Sequence, residues 1–299
     1  MKKDGRKLIV ILGPTASGKS ELAVKLAGKF NGEIISADSR QVYKGMDIGT
    51  GKITEKEKKG IPHYLLDVTS PKTRFTVTQY GKLALKSIDK IFQKNKLPIL
   101  CGGTGFYIQA LIDGIIIPEV KPDWKLRNKL EKKSTKELYK ILQKLDPKRA
   151  RIIDKFNPRR LIRAIEIVIK TRKTVPTLEK NPLPYSILMI GIKKSPEELK
   201  RLIKKRLLKR LHRGMINEIR KLREDGVSWK RLEDFGLEYR YIAQYLQRKI
   251  NYEDMKEKIQ KESEHYAKRQ MTWFKRDKRI KWIKTKKEAE ILVKKFIGK

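Results

Sequence analysis

Over the first hundred residues short apolar runs alternate with amphipathic stretches, the pattern of βα units that feed a mostly parallel sheet. Leu8–Leu12, Glu33–Ser36, Leu65–Val68 and Leu97–Cys101 predict strands, while Glu21–Phe30 and Val77–Gln93 predict helices. Beyond Pro118 the pattern changes. Charged residues and helix formers take over, and Asp123–Lys173 predicts several short helices. One more strand, Ser186–Ile192, follows the breaker Asn181-Pro182-Leu183-Pro184 and is expected to return to the sheet. Leu199, Leu202, Ile203, Leu207, Leu211, Met215, Ile219 and Leu222 then repeat at three- and four-residue spacing, predicting one long helix with a basic outer face. Trp229–Phe274 reads as further helix, with Tyr and Trp interleaved among basic residues. The fold class is therefore α/β: a parallel-sheet core from residues 1–118 and 184–299, ending in a helical C-terminal region, with an inserted all-helical domain at 119–183.

Charge narrows the partners. Lys and Arg number 74 against 34 Asp and Glu, and a net charge of +40 on 299 residues exceeds what solubility requires. A polyanion such as a nucleic acid is the expected partner, although lysine runs on solvated helix faces contribute to the total. The single cysteine, Cys101, excludes an intramolecular disulfide and fits a reducing compartment, so the cytoplasm is expected. It reads as a small buried strand residue. No stretch approaches the length of a membrane span, and a monomer is expected. His63, His212 and His265 share no metal-ligand spacing.

The chemistry begins at Gly13-Pro14-Thr15-Ala16-Ser17-Gly18-Lys19-Ser20. Its G-x-x-x-x-G-K-[ST] spacing, directly after a predicted strand and before a predicted helix, is that of a P-loop. The glycines let successive N–H groups turn inward, Lys19 reaches terminal phosphoryl oxygens, and Ser20 can ligate Mg²⁺. Read alone, such a loop announces nucleotide binding, with ATP the first candidate. A hydrolase should also carry a carboxylate after a later buried strand, yet Leu97-Pro98-Ile99-Leu100-Cys101-Gly102-Gly103-Thr104 has none. Asp38 closes the second strand instead, at the carboxyl edge where ligands bind in such sheets. There it can accept a proton from a nucleophile, and the position equally suits a turn or N-cap aspartate.

With these pieces in place the chain resembles the tRNA dimethylallyltransferases, or tRNA isopentenyltransferases. Six ordered blocks carry the resemblance: GPTASGKS at 13–20, DSRQVYKGMDIGTGK at 38–52, PHYLLDV at 62–68, CGGTGFY at 101–107, NPRRLIRAIE at 157–166 and YAKRQMTWFKRD at 266–277. The resemblance implies a P-loop kinase-like core and transfer of a dimethylallyl group from dimethylallyl diphosphate to the exocyclic amine of the adenosine next to the tRNA anticodon. It places the general base on Asp38, the diphosphate cradle on Gly13, Pro14, Thr15, Ala16, Ser17, Gly18, Lys19 and Ser20, and catalytic roles on Thr15 and Arg206. Contacts to the tRNA anticodon stem-loop fall on Asp38, Ser39, Arg40, Gln41, Thr104, Arg127, Arg159, Arg160, Leu161, Ile162, Arg163, Tyr239, Arg240, Lys268, Arg269 and Gln270. Leu202 stands where the family usually carries an arginine, with Arg201 and Lys205 as candidate substitutes, and the segment around Gly236 is a looser version of the family's. Of the aromatic residues near the end, Tyr239, Tyr241, Tyr245, Trp273 and Phe274 sit at helical spacing and are expected in the core. Two other classes share the P-loop: a small-molecule kinase, which leaves the basic helical half unexplained, and a non-catalytic P-loop RNA-binding protein.

Overall fold

The computed structural model describes residues 5–116, 118, 120–177 and 179–298. Part of the basic N-terminal stretch, Met1–Asp4, lies outside them, as does Glu119 at the expected domain boundary. The chain divides into two compact units, Met1–Asp113 with Pro182–Lys299, and Gly114–Asn181.

In the first unit the elements run β1 (Lys7–Leu12), α1 (Lys19–Lys29), β2 (Gly32–Ser36), α2 (Glu55–Lys58), β3 (His63–Tyr64), α3 (Val77–Gln93), β4 (Leu97–Gly102) and α4 (Gly105–Ile112). The second unit holds α5 (Trp124–Leu130), α6 (Thr135–Leu145), α7 (Pro147–Ile152) and α8 (Pro158–Thr171). The first unit resumes with β5 (Ser186–Ile192), α9 (Pro196–His212), α10 (Met215–Glu224), α11 (Trp229–Phe235), α12 (Leu237–Leu246), α13 (Tyr252–Phe274), β6 (Ile280–Ile283) and α14 (Lys286–Ile297).

Six strands form one sheet in the order β3-β2-β4-β1-β5-β6. All its pairings are parallel, with Ile11 opposite both Cys101 of β4 and Ile190 of β5. β1 is thus central and buried on both faces, which is why it reads as an unbroken apolar run rather than an alternating one. On one face Leu8, Val10 and Leu12 pack with α3 and α4, where Tyr80 stacks on Tyr107 at 4.1 Å between ring centroids. On the other, Ile9 and Ile11 pack with α1 and α14. A separate apolar cluster joins α10 to α13 with Val42, Tyr43 and Met46.

Two expectations are corrected. The third strand is His63–Tyr64, and Leu65–Val68 is a turn in which Leu65 and Asp67 both have positive φ. The long helix is two, because Gly214 at φ 91° occupies the left-handed region, where glycine ends a helix without a side-chain penalty. β6 and α14 were not foreseen at all. Ile280 and Ile283 of β6 are buried on opposite faces of the sheet, but the four-residue strand is set among lysines and gives little pattern.

The second unit is all-helical, as expected of the insertion. Its helices start on Asp123, Ser134, Asp146 and Asn157, each accepting a backbone N–H through its side chain. Leu130, Leu138, Leu142, Leu161 and Ile165 form its core.

Candidate active site

The P-loop sits between β1 and α1. Gly13 has φ 146°, and a Cβ there would lie 3.1 Å from the carbonyl oxygen of Ile192, so the loop passes β5 too closely for a side chain. Ala16 and Gly18 take positive φ, which turns the loop back on itself. α1 has Gly18 at its N-cap and no side-chain cap, so its first amides are left for an anion. Ser17 points its hydroxyl into the same loop, where Oγ is buried without a partner among the described residues. A buried hydroxyl left this way is unfavourable unless a ligand completes it.

Lys19 donates from Nζ to the carbonyl of Pro14 at 2.6 Å. Burial is the main reason its pKa falls from 10.5 to about 8, and the neighbouring Arg206 adds to the drop while Asp38 opposes it. Arg206 comes from α9. It donates to Thr15 Oγ1 at 3.1 Å and to the carbonyl of Gly51 at 3.5 Å, and burial followed by the charge of Arg210 brings its pKa down to about 10. Two cations from different elements, Lys19 of α1 and Arg206 of α9, therefore meet at the loop beside the Thr15 hydroxyl.

Asp38 follows β2. Its Oδ1 accepts the backbone N–H groups of Arg40 at 2.8 Å and Gln41 at 3.3 Å, which fixes the carboxylate. The turn reading of Asp38 is thus correct, and it leaves room for the chemical one. Its charge acts on Lys19, Arg206, Cys101, Tyr80, Tyr107 and Tyr266, so Asp38 stands at the centre of the site. Cys101 is buried as expected, and its thiol is pushed up to about 12, first by burial. Thr104, at the N-cap of α4, accepts the N–H of Ser39 at 3.0 Å and so ties α4 to the Asp38 turn.

Several residues expected at the tRNA surface have other partners. Gln270 is 6 % exposed; it accepts the Thr15 N–H at 2.7 Å and donates to the Gly103 carbonyl at 2.8 Å, so it braces the P-loop from α13. Tyr239 is 2 % exposed and donates to Glu218 within the cluster of α10 to α13, while Phe274 is buried against the sheet, so both are core residues. Trp273, Tyr241 and Tyr245 are only half-buried. Leu161 and Ile162 face the core of the second unit, since they lie on the apolar side of α8. In that unit Arg127 and Arg163 both clasp the buried carboxylate of Glu166, at 2.6 and 2.5 Å, and Arg159 and Arg160 stay exposed. Arg40 donates to the Phe235 carbonyl and lies over the Phe235 ring, while Arg240 donates to the Glu233 carbonyl. Lys268 and Arg269 are exposed.

Leu202 is half-buried one turn before Arg206, whereas Arg201 and Lys205 face solvent. Arg210, one turn after Arg206, is 9 % exposed, and neither its role nor that of Gln270 was legible in a sequence crowded with Lys and Arg. Among the described residues no group of three or more His, Cys, Asp or Glu could hold a metal, and no helix is long and apolar enough to cross a membrane.

The IPP transferase family model matches residues 41–277. A tRNA dimethylallyltransferase of Acetivibrio thermocellus is 43% identical over 284 residues, which cover 92% of this chain and 91% of the relative. The one from Halothermothrix orenii is 41% identical over 94% of this chain and 88% of its own. A crystal structure of the full-length tRNA isopentenylpyrophosphate transferase from Bacillus halodurans is 35% identical and superposes with a TM-score of 0.73, covering 98% of this chain and 96% of that one. A eukaryotic dimethylallyltransferase described as acting on tRNA superposes with the same TM-score of 0.73 at 29% identity, over 90% of this chain and 70% of that one.

Proposed function

The chain belongs to the IPP transferase family and is a tRNA prenyltransferase, and on that premise we propose how its residues divide the work. The P-loop holds dimethylallyl diphosphate, and Asp38 serves the exocyclic amine of an adenosine beside the anticodon. The observation that carries this reading is a fixed carboxylate, Asp38, standing beside Lys19, Arg206 and a P-loop in which α1 has no side-chain cap and the buried Ser17 hydroxyl has no partner among the described residues. The kinase and non-catalytic alternatives give way to it.

When the allylic C–O bond breaks, its electron pair leaves with the diphosphate and negative charge builds on the oxygens. P-loop amides, Lys19 and Arg206 stabilise that charge, each typically by a few kcal/mol in the transition state. The carbon becomes cation-like and the adenosine nitrogen attacks it. As the new C–N bond forms, the nitrogen gives a proton to Asp38, through the Oδ2 that the two backbone amides leave available. ATP is not consumed, which accounts for the missing hydrolytic carboxylate after β4.

Mg²⁺ belongs to the same proposal. Ser20, exposed at the second position of α1, offers one hydroxyl, and diphosphate oxygens and water complete an all-oxygen set of the kind Mg²⁺ takes. Bound there, the ion would draw negative charge off the diphosphate. Turning the target base out of its stacked loop costs a few kcal/mol, which protein contacts must offset. Arg159, Arg160, Lys268 and Arg269 are exposed and suited to tRNA phosphates, while Ser39, Arg40, Gln41 and Thr104 lie beside Asp38.

The test is transfer of label from dimethylallyl diphosphate to unmodified tRNA. Asp38→Ala should lower the rate about 10²- to 10⁴-fold, much more than it lowers tRNA affinity. Normal turnover by that variant would remove Asp38 as the base.

A further inference from the structure

Two arginines of α9, one turn apart, converge on one residue. Gly51 has φ +61°, and a Cβ there would collide with the guanidinium groups of both Arg206 and Arg210. Arg206 continues to Thr15 and the P-loop. Arg210 does not: its Nη1 donates to the carbonyl of Gly49 at 3.2 Å and to Glu238 Oε1 at 2.8 Å, with the two side chains only 10% and 13% exposed. The proposed chemistry uses neither Arg210 nor Glu238. A buried ion pair seldom repays its desolvation as stability alone, so a pair kept beside an anion site calls for another role.

The turn these residues grip is held from its other side as well. Glu218 accepts the backbone N–H groups of Asp47, Ile48 and Gly49 at 2.9, 2.5 and 3.0 Å, and the Tyr239 hydroxyl at 2.8 Å. Gln41 donates from Nε2 to the Gly51 carbonyl at 3.3 Å, and its own N–H is on Asp38. One turn, 47–51, thus joins the element bearing the base to the element bearing the cation.

We propose that Arg210, paired with Glu238, is a positioning residue for the diphosphate: it locks the 47–51 turn and, from across Gly51, keeps the Arg206 guanidinium directed at Thr15. The inference rests on the reading that the P-loop holds a diphosphate. Like charges on the two arginines repel. Arg210 is anchored through Nη1 to the Gly49 carbonyl and to Glu238 and is enclosed, so the repulsion falls on Arg206, which bonds Thr15 of the P-loop. Glu238 neutralises Arg210 until an anion arrives, which lets two guanidinium groups share a half-buried space.

Four variants test this: Arg210→Met, Arg210→Lys, Glu238→Gln and the double variant R210M/E238Q. For each, affinity for dimethylallyl diphosphate is measured by calorimetry without tRNA, alongside tRNA affinity, kcat and thermal melting. R210M should weaken diphosphate binding about 10- to 100-fold, the scale of one lost charge-assisted contact, with tRNA affinity within about twofold of the parent. R210K should recover part of the loss. The double variant should regain the melting temperature that each single change lowers, because no unpaired buried charge remains, without regaining diphosphate affinity. Parent-like binding by R210M overturns the inference, and so does a double variant that recovers affinity together with melting temperature, since the pair would then be structural only. Lys19→Ala separates the two levels. If K19A abolishes diphosphate binding and R210M leaves it intact, only the role of Arg210 falls; if the parent protein binds no diphosphate, the P-loop reading falls and takes this one with it.

Discussion

Raising the pH should disarm the phosphate site through one lysine. The Lys19 ammonium is enclosed by the loop it serves, and the lost hydration brings its pKa to about 8. About nine-tenths of the molecules carry the charge at pH 7 and about one-tenth at pH 9. A bound diphosphate favours the ammonium form and raises its pKa, so binding is strongest below pH 8 and is lost as pH rises through that value. Between pH 7 and pH 9 the affinity for dimethylallyl diphosphate should fall about tenfold, or roughly 1.4 kcal/mol. Arg206, at about 10, stays largely charged over this range. Calorimetry without tRNA, repeated at each pH in two buffers of different ionisation enthalpy, reads both the affinity and the protons exchanged. Uptake should approach one proton per diphosphate at pH 9 and be small at pH 7, and Lys19→Met should bind weakly at both pH values with no uptake. If the parent protein takes up no proton at pH 9, Lys19 is already charged there and the argument from burial is wrong.

Glu33 gives a second titration, in acid. Its carboxylate is buried, which alone would raise its pKa, but hydrogen bonds from Lys96, Tyr64 and Lys94 outweigh burial and bring it down to about 2. This support is full above about pH 4.5 and is lost as pH falls toward 2. Because the two lysines are partly open to solvent, Glu33→Gln should lower stability in urea by on the order of 2 kcal/mol at pH 7, and the difference from the parent should shrink below about pH 4.5 and close only as pH approaches 2. Gly49→Ala would place a Cβ 2.7 Å from the Tyr239 ring and should lower stability by about 1–3 kcal/mol, read by thermal melting. Binding to tRNA should weaken steeply with salt, losing at least about tenfold between 50 and 200 mM; a flat response would show that the charge of +40 is spent elsewhere.

The parts of this protein that were legible in its sequence are local. β1, β5 and α3 announce themselves because burial writes a continuous apolar run or a regular stripe. The P-loop is legible because its spacing is one that chemistry constrains, whereas Asp38 is visible only as an acid at a strand end and takes its role from the family resemblance. Gln270 reaches the P-loop from α13 and Arg210 reaches the neighbouring 47–51 turn from α9, and only tertiary packing brings them there. Their codes look like any polar or basic helix face. Gly49 and Gly51 left the better trace, since both are required by what packs over them, Tyr239 in one case and two guanidinium groups in the other. β3 and β6, at two and four residues, are too short to impose a period.

The strand that carries the phosphate loop is made first and completed late. β1 pairs with β4, which begins at Leu97, and with β5, which begins at Ser186, while β5 in turn takes β6 as its outer neighbour at Ile280. During synthesis the apolar Leu8–Leu12 segment therefore waits until Ile192 has been made before both its edges are covered, and β5 keeps a bare edge until Ile280–Ile283 emerges. Such distant pairings are slow to form and leave an aggregation-prone strand exposed in the meantime. Chains cut short before Ile280 should fail as nascent polypeptides, with β5 left as a bare edge, even though every residue proposed for the chemistry has already been made.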